Sequence, residues 1–206
     1  MSKLAMLAAA LVSTTSVLSG AFASGLDDVA IGYPAMGGTG CPAGSASIAL
    51  SPDAKTLSVL FDSFQVEAAG ATRTQRKSCD IAIPLHVPSG MTVSVYQIDY
   101  RGFNSLPGSG AWSRINSSYF IPGSSQSLNF SKLWQGPMDD DYLFSTPLTA
   151  QSLVWSPCGA DINMRSKVSM QVSTNAYGEQ ALSTVDSIDM NASMLYHLNW
   201  NTCPKR

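Results

Sequence analysis

Asp99, Tyr100, Arg101 and Gly102 close the apolar, β-branched run VSVYQIDYRGF (residues 93–103). A carboxylate and a guanidinium so placed can grip a polar ligand at a sheet rim. They can equally satisfy the loose backbone groups of a strand leaving its sheet. The pattern favours the architectural role. Met91, Val93 and Val95 occupy odd positions, whereas Tyr96, Ile98 and Tyr100 occupy even ones. The apolar face therefore changes parity near residue 95, as a β-bulge or a doubly covered strand produces. Downstream, GFNSLPGSGAWSRINSS (102–118) is expected as a long flexible loop carrying Trp112 and Arg114. A Trp on such a loop stacks on a sugar ring or anchors a protein partner, unless it folds back as a lid on the sheet. The candidate ligand-binding residues are thus Asp99, Tyr100, Arg101, Trp112 and Arg114, while Trp134, Trp155 and Trp200 are assigned to core or rim packing.

Catalysis lacks a constellation. His86 and His197 each fall on the polar side of a strand, and no H-E-x-x-H, G-x-S-x-G or P-loop spacing occurs. Asp99 could meet Asp62 or Asp186 to form an acid–base pair, which needs a shared pocket and split pKa values. Asp139, Asp140 and Asp141 form a loop cluster of the kind that collects Ca²⁺, but without EF-hand spacing they read as a solvated turn. Arg73, Arg76 and Lys77 read as a solvated basic cluster in the loop before Cys79, too small to track phosphates. The sequons at Asn116, Asn129 and Asn191 matter only in a eukaryotic secretory pathway. No catalytic residue, metal or cofactor is assigned.

These residues are carried by an exported chain. One basic residue, Lys3, precedes an apolar run that ends in Ala21-Phe22-Ala23, the pattern of a signal peptide cleaved before Ser24. The unbroken run from Leu4 to Val12 is too short to span a bilayer. Loss of Lys3 leaves 11 basic and 14 acidic residues, a net charge of −3 that argues against a nucleic-acid or anionic-membrane partner. Cys41, Cys79, Cys158 and Cys203 all follow the cleavage site, and none lies within a zinc-knuckle spacing of another. In an oxidising compartment, four cysteines imply two disulfides with three connectivities.

Period-two alternation dominates the rest. Cys79, Ile81, Ile83, Leu85 and Val87 share one face, as do Ile162, Met164, Val168, Met170 and Val172. Met194, Tyr196, Leu198 and Trp200 do the same, and so do Leu57, Val59 and Phe61. Such alternation marks half-buried antiparallel strands, and no long 3.6-residue period competes with it. The expected fold is all-β: an antiparallel two-sheet β-sandwich in one domain, residues 41–206, with 24–40 as a flexible N-terminal arm. Pro84 places its strand at an edge or a bulge. Two sheet crossings separate Cys41 from Cys79, which returns the chain to the same end and makes that pairing natural. Elimination leaves Cys158–Cys203, which fits if one segment, 182–190, does not run the full height of the sheet.

Taken in order, Gly40-Cys41-Pro42-Ala43-Gly44-Ser45, Leu60-Phe61-Asp62-Ser63-Phe64, Arg76-Lys77-Ser78-Cys79, Asp99-Tyr100-Arg101-Gly102-Phe103, Trp155-Ser156-Pro157-Cys158-Gly159 and Trp200-Asn201-Thr202-Cys203 resemble a known family. It comprises small exported proteins of bacteria and fungi catalogued as domain of unknown function 4360. The resemblance covers nearly all the mature chain, implies secretion and a single disulfide-bonded domain, and transfers no catalytic residue. The combined expectation is a secreted or periplasmic, non-enzymatic sandwich acting by surface contact with envelope material, a polysaccharide or a protein. A secreted carboxylate-dependent hydrolase of glycans and a structural coat component are the alternatives.

Overall fold

Alternation becomes two facing antiparallel sheets in the computed structural model, which describes residues 25–124, 126–185 and 193–204. The leader, Asp186 and Asn191 lie outside the described residues. In chain order the strands are β1 (Ala30–Ile31), β2 (Ala35–Gly37), β3 (Ala46–Leu50), β4 (Thr56–Phe61), β5 (Gln65–Ala68), β6 (Thr74–His86) and β7 (Met91–Leu106). They continue with β8 (Trp112–Phe120), β9 (Ser127–Gln135), β10 (Met138–Pro147), β11 (Ile162–Ser173), β12 (Ala181–Thr184) and β13 (Met194–Thr202). The first sheet runs β1-β6-β11-β8-β9, with β2 also on β6. The second runs β3-β4-β13-β7-β12-β5, with β10 also on β7. Among the described residues the helical structure is one 3₁₀ turn, Ala150–Ser152.

The core is the set of inward residues that the alternation selects. Ile81, Ile83, Leu85, Ile115, Val168 and Met170 from the first sheet meet Leu57, Val59, Val95, Ile98 and Met194 from the second, all essentially inaccessible to solvent. Each fully buried side chain of this kind contributes about 1.5–3 kcal/mol. A one-residue slip would turn the whole set outward, so burial fixes the register. The parity change near residue 95 is a bulge: Leu198 pairs with Val95 and His197 with Gln97, which leaves Tyr96 as the extra residue.

Both disulfides form, Cys41–Cys79 as the crossings favour and Cys158–Cys203 as elimination leaves. β12 is four residues long and pairs with Ser105 and Asn104 of β7, while β13 pairs with β7 from Tyr100 onward, so both run antiparallel to that one strand. Pro84 sits on β6 where its outer edge is interrupted between β1 and β2. Its carbonyl accepts the Gly32 N–H at 2.9 Å, so the missing N–H of Pro84 falls on the side where no strand asks for it.

Several expectations are corrected. Residues 30–37 are no free arm: β1 and β2 pair with 85–86 and 80–82 of β6. The stretch before Cys79 is strand from Thr74 onward, so Arg76 and Lys77 lie on β6 and point to opposite sides of it. Arg73 does lie in the preceding turn, where its guanidinium clamps the Asn175 and Ala176 carbonyls at 2.6 and 2.8 Å. The long loop 102–118 is a hairpin, in which β7 continues to Leu106, β8 begins at Trp112 and only 107–111 form the turn. Asp139, Asp140 and Asp141 are likewise strand residues, in register with Ser105, Asn104 and Phe103. Pleating sends Asp140 to the face opposite its neighbours.

The polar segment 102–118 becomes strand with the buried Ser113 and Ser183 hydroxyls paired to Asn104 Oδ1, although Asn104 Nδ2 has no hydrogen-bond partner among the described residues. Ser113 and Ser183 donate to Asn104 Oδ1 at 2.7 and 2.6 Å, which joins β8 of the first sheet to β12 and β7 of the second. All three residues are fully buried, where an unpaired hydroxyl costs about 1–3 kcal/mol.

Candidate functional site

The candidate residues separate into three places. Tyr100 points into the core, where its hydroxyl donates to Ser117 Oγ at 2.7 Å across the two sheets and its ring stacks on Phe144. It is fully buried, so its expected part in ligand contact is corrected to a core one. Burial also drives its phenol well above the ordinary tyrosine range. Asp99 and Arg101 point outward from the second sheet. Trp112 and Arg114 point outward from the first sheet, on the opposite side of the sandwich.

Around Asp99 the geometry is closed. Its Oδ2 meets His197 Nε2 at 2.7 Å, and its Oδ1 accepts from Gln97 Nε2 at 2.8 Å. The Tyr96 ring, thrown outward by the bulge, lies 5.7 Å from the His197 ring. Burial alone would raise the Asp99 pKa, but hydrogen bonds from Ser145, His197 and Gln97 outweigh it and hold the carboxyl below its ordinary value. Among the described residues no second carboxylate joins this cluster. The folded carboxyl thus titrates below an unfolded Asp near 3.9. Its stabilisation is whole above about pH 5 and is lost as the pH falls through the folded value. Asp99→Asn is expected to destabilise the protein by about 1–2 kcal/mol at pH 7 and by less at pH 3, below the unfolded carboxyl value. Thermal unfolding at both pH values checks this, and equal losses at the two would contradict it.

On the first sheet, β8, β11 and β6 align their outward side chains in rows. From one end these rows are Phe120–Arg165–Ala82, Ser118–Lys167–Asp80, Asn116–Ser169–Ser78, Arg114–Gln171–Arg76 and Trp112–Ser173–Thr74. Lys167 pairs with Asp80 at 3.1 Å, Arg76 donates to Ser169 Oγ at 3.1 Å, and the Arg114 guanidinium lies 5.4 Å over the Trp112 ring. A recess of about 530 Å³ opens between Phe120, Arg165, Lys167 and Gly37. A second, of about 350 Å³, opens between Arg76, Asn116, Ser131 and Ser169. They share Ser118 and Lys167, so they form one trough along β8.

A family model described as a domain of unknown function, DUF4360, matches residues 27–203. This chain belongs to that family. An uncharacterized secreted protein of Arthroderma benhamiae is 35% identical to this DUF4360 chain over 182 residues, covering 86% of the chain and 73% of the relative. Among solved structures, TmCBM61 in complex with β-1,4-galactotriose aligns over 82% of the chain and 88% of its own, at 10% identity and a TM-score of 0.27. The enzymatically active domain of tailspike protein 4 from bacteriophage CBA120 aligns over 82% of the chain and 19% of its own, at 9% identity and a TM-score of 0.24. At such scores neither assigns a role to any residue of the DUF4360 chain.

The trough was only half visible in the sequence of this DUF4360 member. Of its lining, Arg76 stands out in the sequence as part of a basic cluster and Asn116 and Asn129 as sequons, but Phe120, Arg165 and Lys167 are given no role; Trp112 and Arg114 lie on the same face beyond the end of the trough. A signal for Arg165 and Lys167 existed, since they alternate with core residues in DINMRSKVSMQV. What no local pattern reveals is which strands lie side by side. Two sequon residues, Asn116 and Asn129, also fall on this face. His86 pairs with Asp161 at 2.6 Å at the exposed end of β6, away from both clusters.

Proposed function

We propose that this DUF4360 protein is an exported, non-enzymatic binding module that holds a polysaccharide along the outer face of its first sheet. One observation carries the reading: Trp112 and Phe120 stand at opposite ends of one face, with guanidinium, amide and hydroxyl groups in rows between them. An extended sugar chain presents apolar ring faces and hydroxyl edges in repetition, which such a surface matches with aromatic contact and hydrogen bonds. Trp112 and Arg114 are its expected contacts at one end. The secreted relative and the two disulfides support export. The hydrolase alternative has weaker support, because glycoside hydrolysis uses two facing carboxyl groups and Asp99 faces His197, Gln97 and Ser145.

The test uses mature, unglycosylated protein, because a glycan on Asn116 or Asn129 would cover the face. It is incubated with insoluble chitin, cellulose and xylan and with gelled polygalacturonate. The expected result is retention on at least one of them without release of reducing ends, weakened about tenfold by Trp112→Ala. Release of soluble sugar that Asp99→Asn abolishes would replace the reading with hydrolysis. Self-assembly without retention on any polymer would replace it with a coat role.

A further inference from the structure

We infer that the chain held in this trough is acidic, a polysaccharide bearing carboxylates. The inference rests on the binding reading above and narrows it by charge. The mature chain is net acidic, yet the outer face of the first sheet gathers Arg76, Arg114, Arg165 and Lys167 against Asp80. The opposite outer face has the reverse polarity, with Glu67, Asp99, Asp139 and Asp141 against Arg101. The two faces of one sandwich thus differ in sign, and the cationic one holds the trough.

The guanidiniums there are not consumed by the fold. Arg165 has no ion-pair partner among the described residues and is exposed beside Phe120. Among the described residues Arg76 bonds a neutral hydroxyl, and Arg114, on the same face beyond the end of the trough, rests on the Trp112 ring. Among the described residues, of these four cations Lys167 alone has a carboxylate partner, Asp80 at 3.1 Å, and both side chains of that pair are more than half exposed. A surface pair of this kind contributes little and exchanges readily for another carboxylate. Guanidinium matches a carboxylate with two parallel hydrogen bonds, which distinguishes a uronate from a neutral sugar. Arg165 and Lys167 sit at one end, and Arg114 and Arg76 flank Gln171 at the other. Six residues of β8 separate the two ends, about 20 Å at 3.3 Å per residue, so the cations address separate units of an extended polymer. Nucleic acid is the weaker match: four cations fall short of the roughly 6–10 phosphate contacts typical of duplex binding, and the whole chain is acidic.

The test compares binding of the mature, unglycosylated protein to polygalacturonate and to the same polymer fully methyl-esterified, at low and moderate salt. The expected result is at least tenfold tighter binding of the free acid, weakening as salt rises. Arg165→Gln and Arg114→Gln each reduce it about tenfold, and Lys55→Gln, in the turn between β3 and β4 of the other sheet, leaves it unchanged. Circular dichroism confirms that the variants fold. Equal binding of the esterified and free-acid polymers would overturn the inference while leaving polysaccharide binding in place. Loss of binding to every polymer, neutral or acidic, would remove both. Tighter binding to duplex DNA or to anionic phosphatidylglycerol vesicles than to polygalacturonate would overturn the inference by assigning the face to another class of ligand.

Discussion

Replacing Cys158 and Cys203 by serine lowers the free energy of unfolding by about 4 kcal/mol, and the same change at Cys41 and Cys79 does likewise. The sequence separations are 45 and 38 residues, so each bridge closes a long loop and removes a comparable share of unfolded-chain entropy. Each also anchors a specific part of the sandwich. Cys203 N–H donates to the Gly90 carbonyl at 2.8 Å and Gly159 N–H to the Met91 carbonyl at 2.8 Å, so the second bridge grips both sides of the start of β7. The first ties the segment after β2 to the middle of β6, and both its cysteines are fully buried. Typical domains hold only about 5–15 kcal/mol in total, so removing both bridges brings this one close to unfolding. Urea denaturation of the paired serine variants measures the effect. A loss under about 1 kcal/mol for either pair would contradict the account of what holds the sheets together.

Gly102→Ala is expected to cost about 3 kcal/mol or more, although it adds a single methyl group. Gly102 faces Tyr142 directly across β7 and β10, and the Tyr142 ring lies over it to donate to the Thr184 carbonyl at 2.7 Å. A Cβ on Gly102 would stand 2.1 Å from that carbonyl oxygen and 2.6 Å from Tyr142 Oη. Backbone cannot swing away as a surface side chain can, so β7 and β12 must part at the point where they pair. In a domain of this size the cost corresponds to a fall of about 6–12 °C in Tm. Gly108→Ala provides the control, because a Cβ there meets nothing within 4 Å and the same methyl should change Tm by no more than a degree or two. Similar shifts for the two variants would show that the crossing of Tyr142 over Gly102 is not what demands glycine.

That glycine also marks where the sequence could be read and where it could not. Residues with local alternation declared themselves: the faces of β6, β11 and β13 and the bulge at Tyr96 follow from side-chain parity, and the cysteine pairing from counted crossings and elimination. Residues 102–118 did not, because Gly102, Asn104, Ser105 and the Gly-Ser-Gly turn have poor strand propensity. They are strand because Asn104, Ser113 and Ser183 bond to one another between the sheets, and that rescue is tertiary. β1 and β2 were hidden for a similar reason, since their Gly- and Pro-rich segment gains order only from the free edge of β6. The site was less legible than the fold. Asp99 and Trp112 lie 13 residues apart yet on opposite faces, whereas Arg76, Arg114 and Arg165, far apart in the chain, share one.

The most direct test of the account is a titration of isotopically labelled, unglycosylated mature protein with oligogalacturonate, followed through backbone amide chemical shifts. The prediction is that saturable shifts concentrate on β8, β11 and β6, at Arg114, Asn116, Ser118, Arg165 and Lys167, while Asp99, His197 and the rest of the opposite face stay still. Shifts centred on Asp99 and His197, or none anywhere at saturating oligosaccharide, would contradict it.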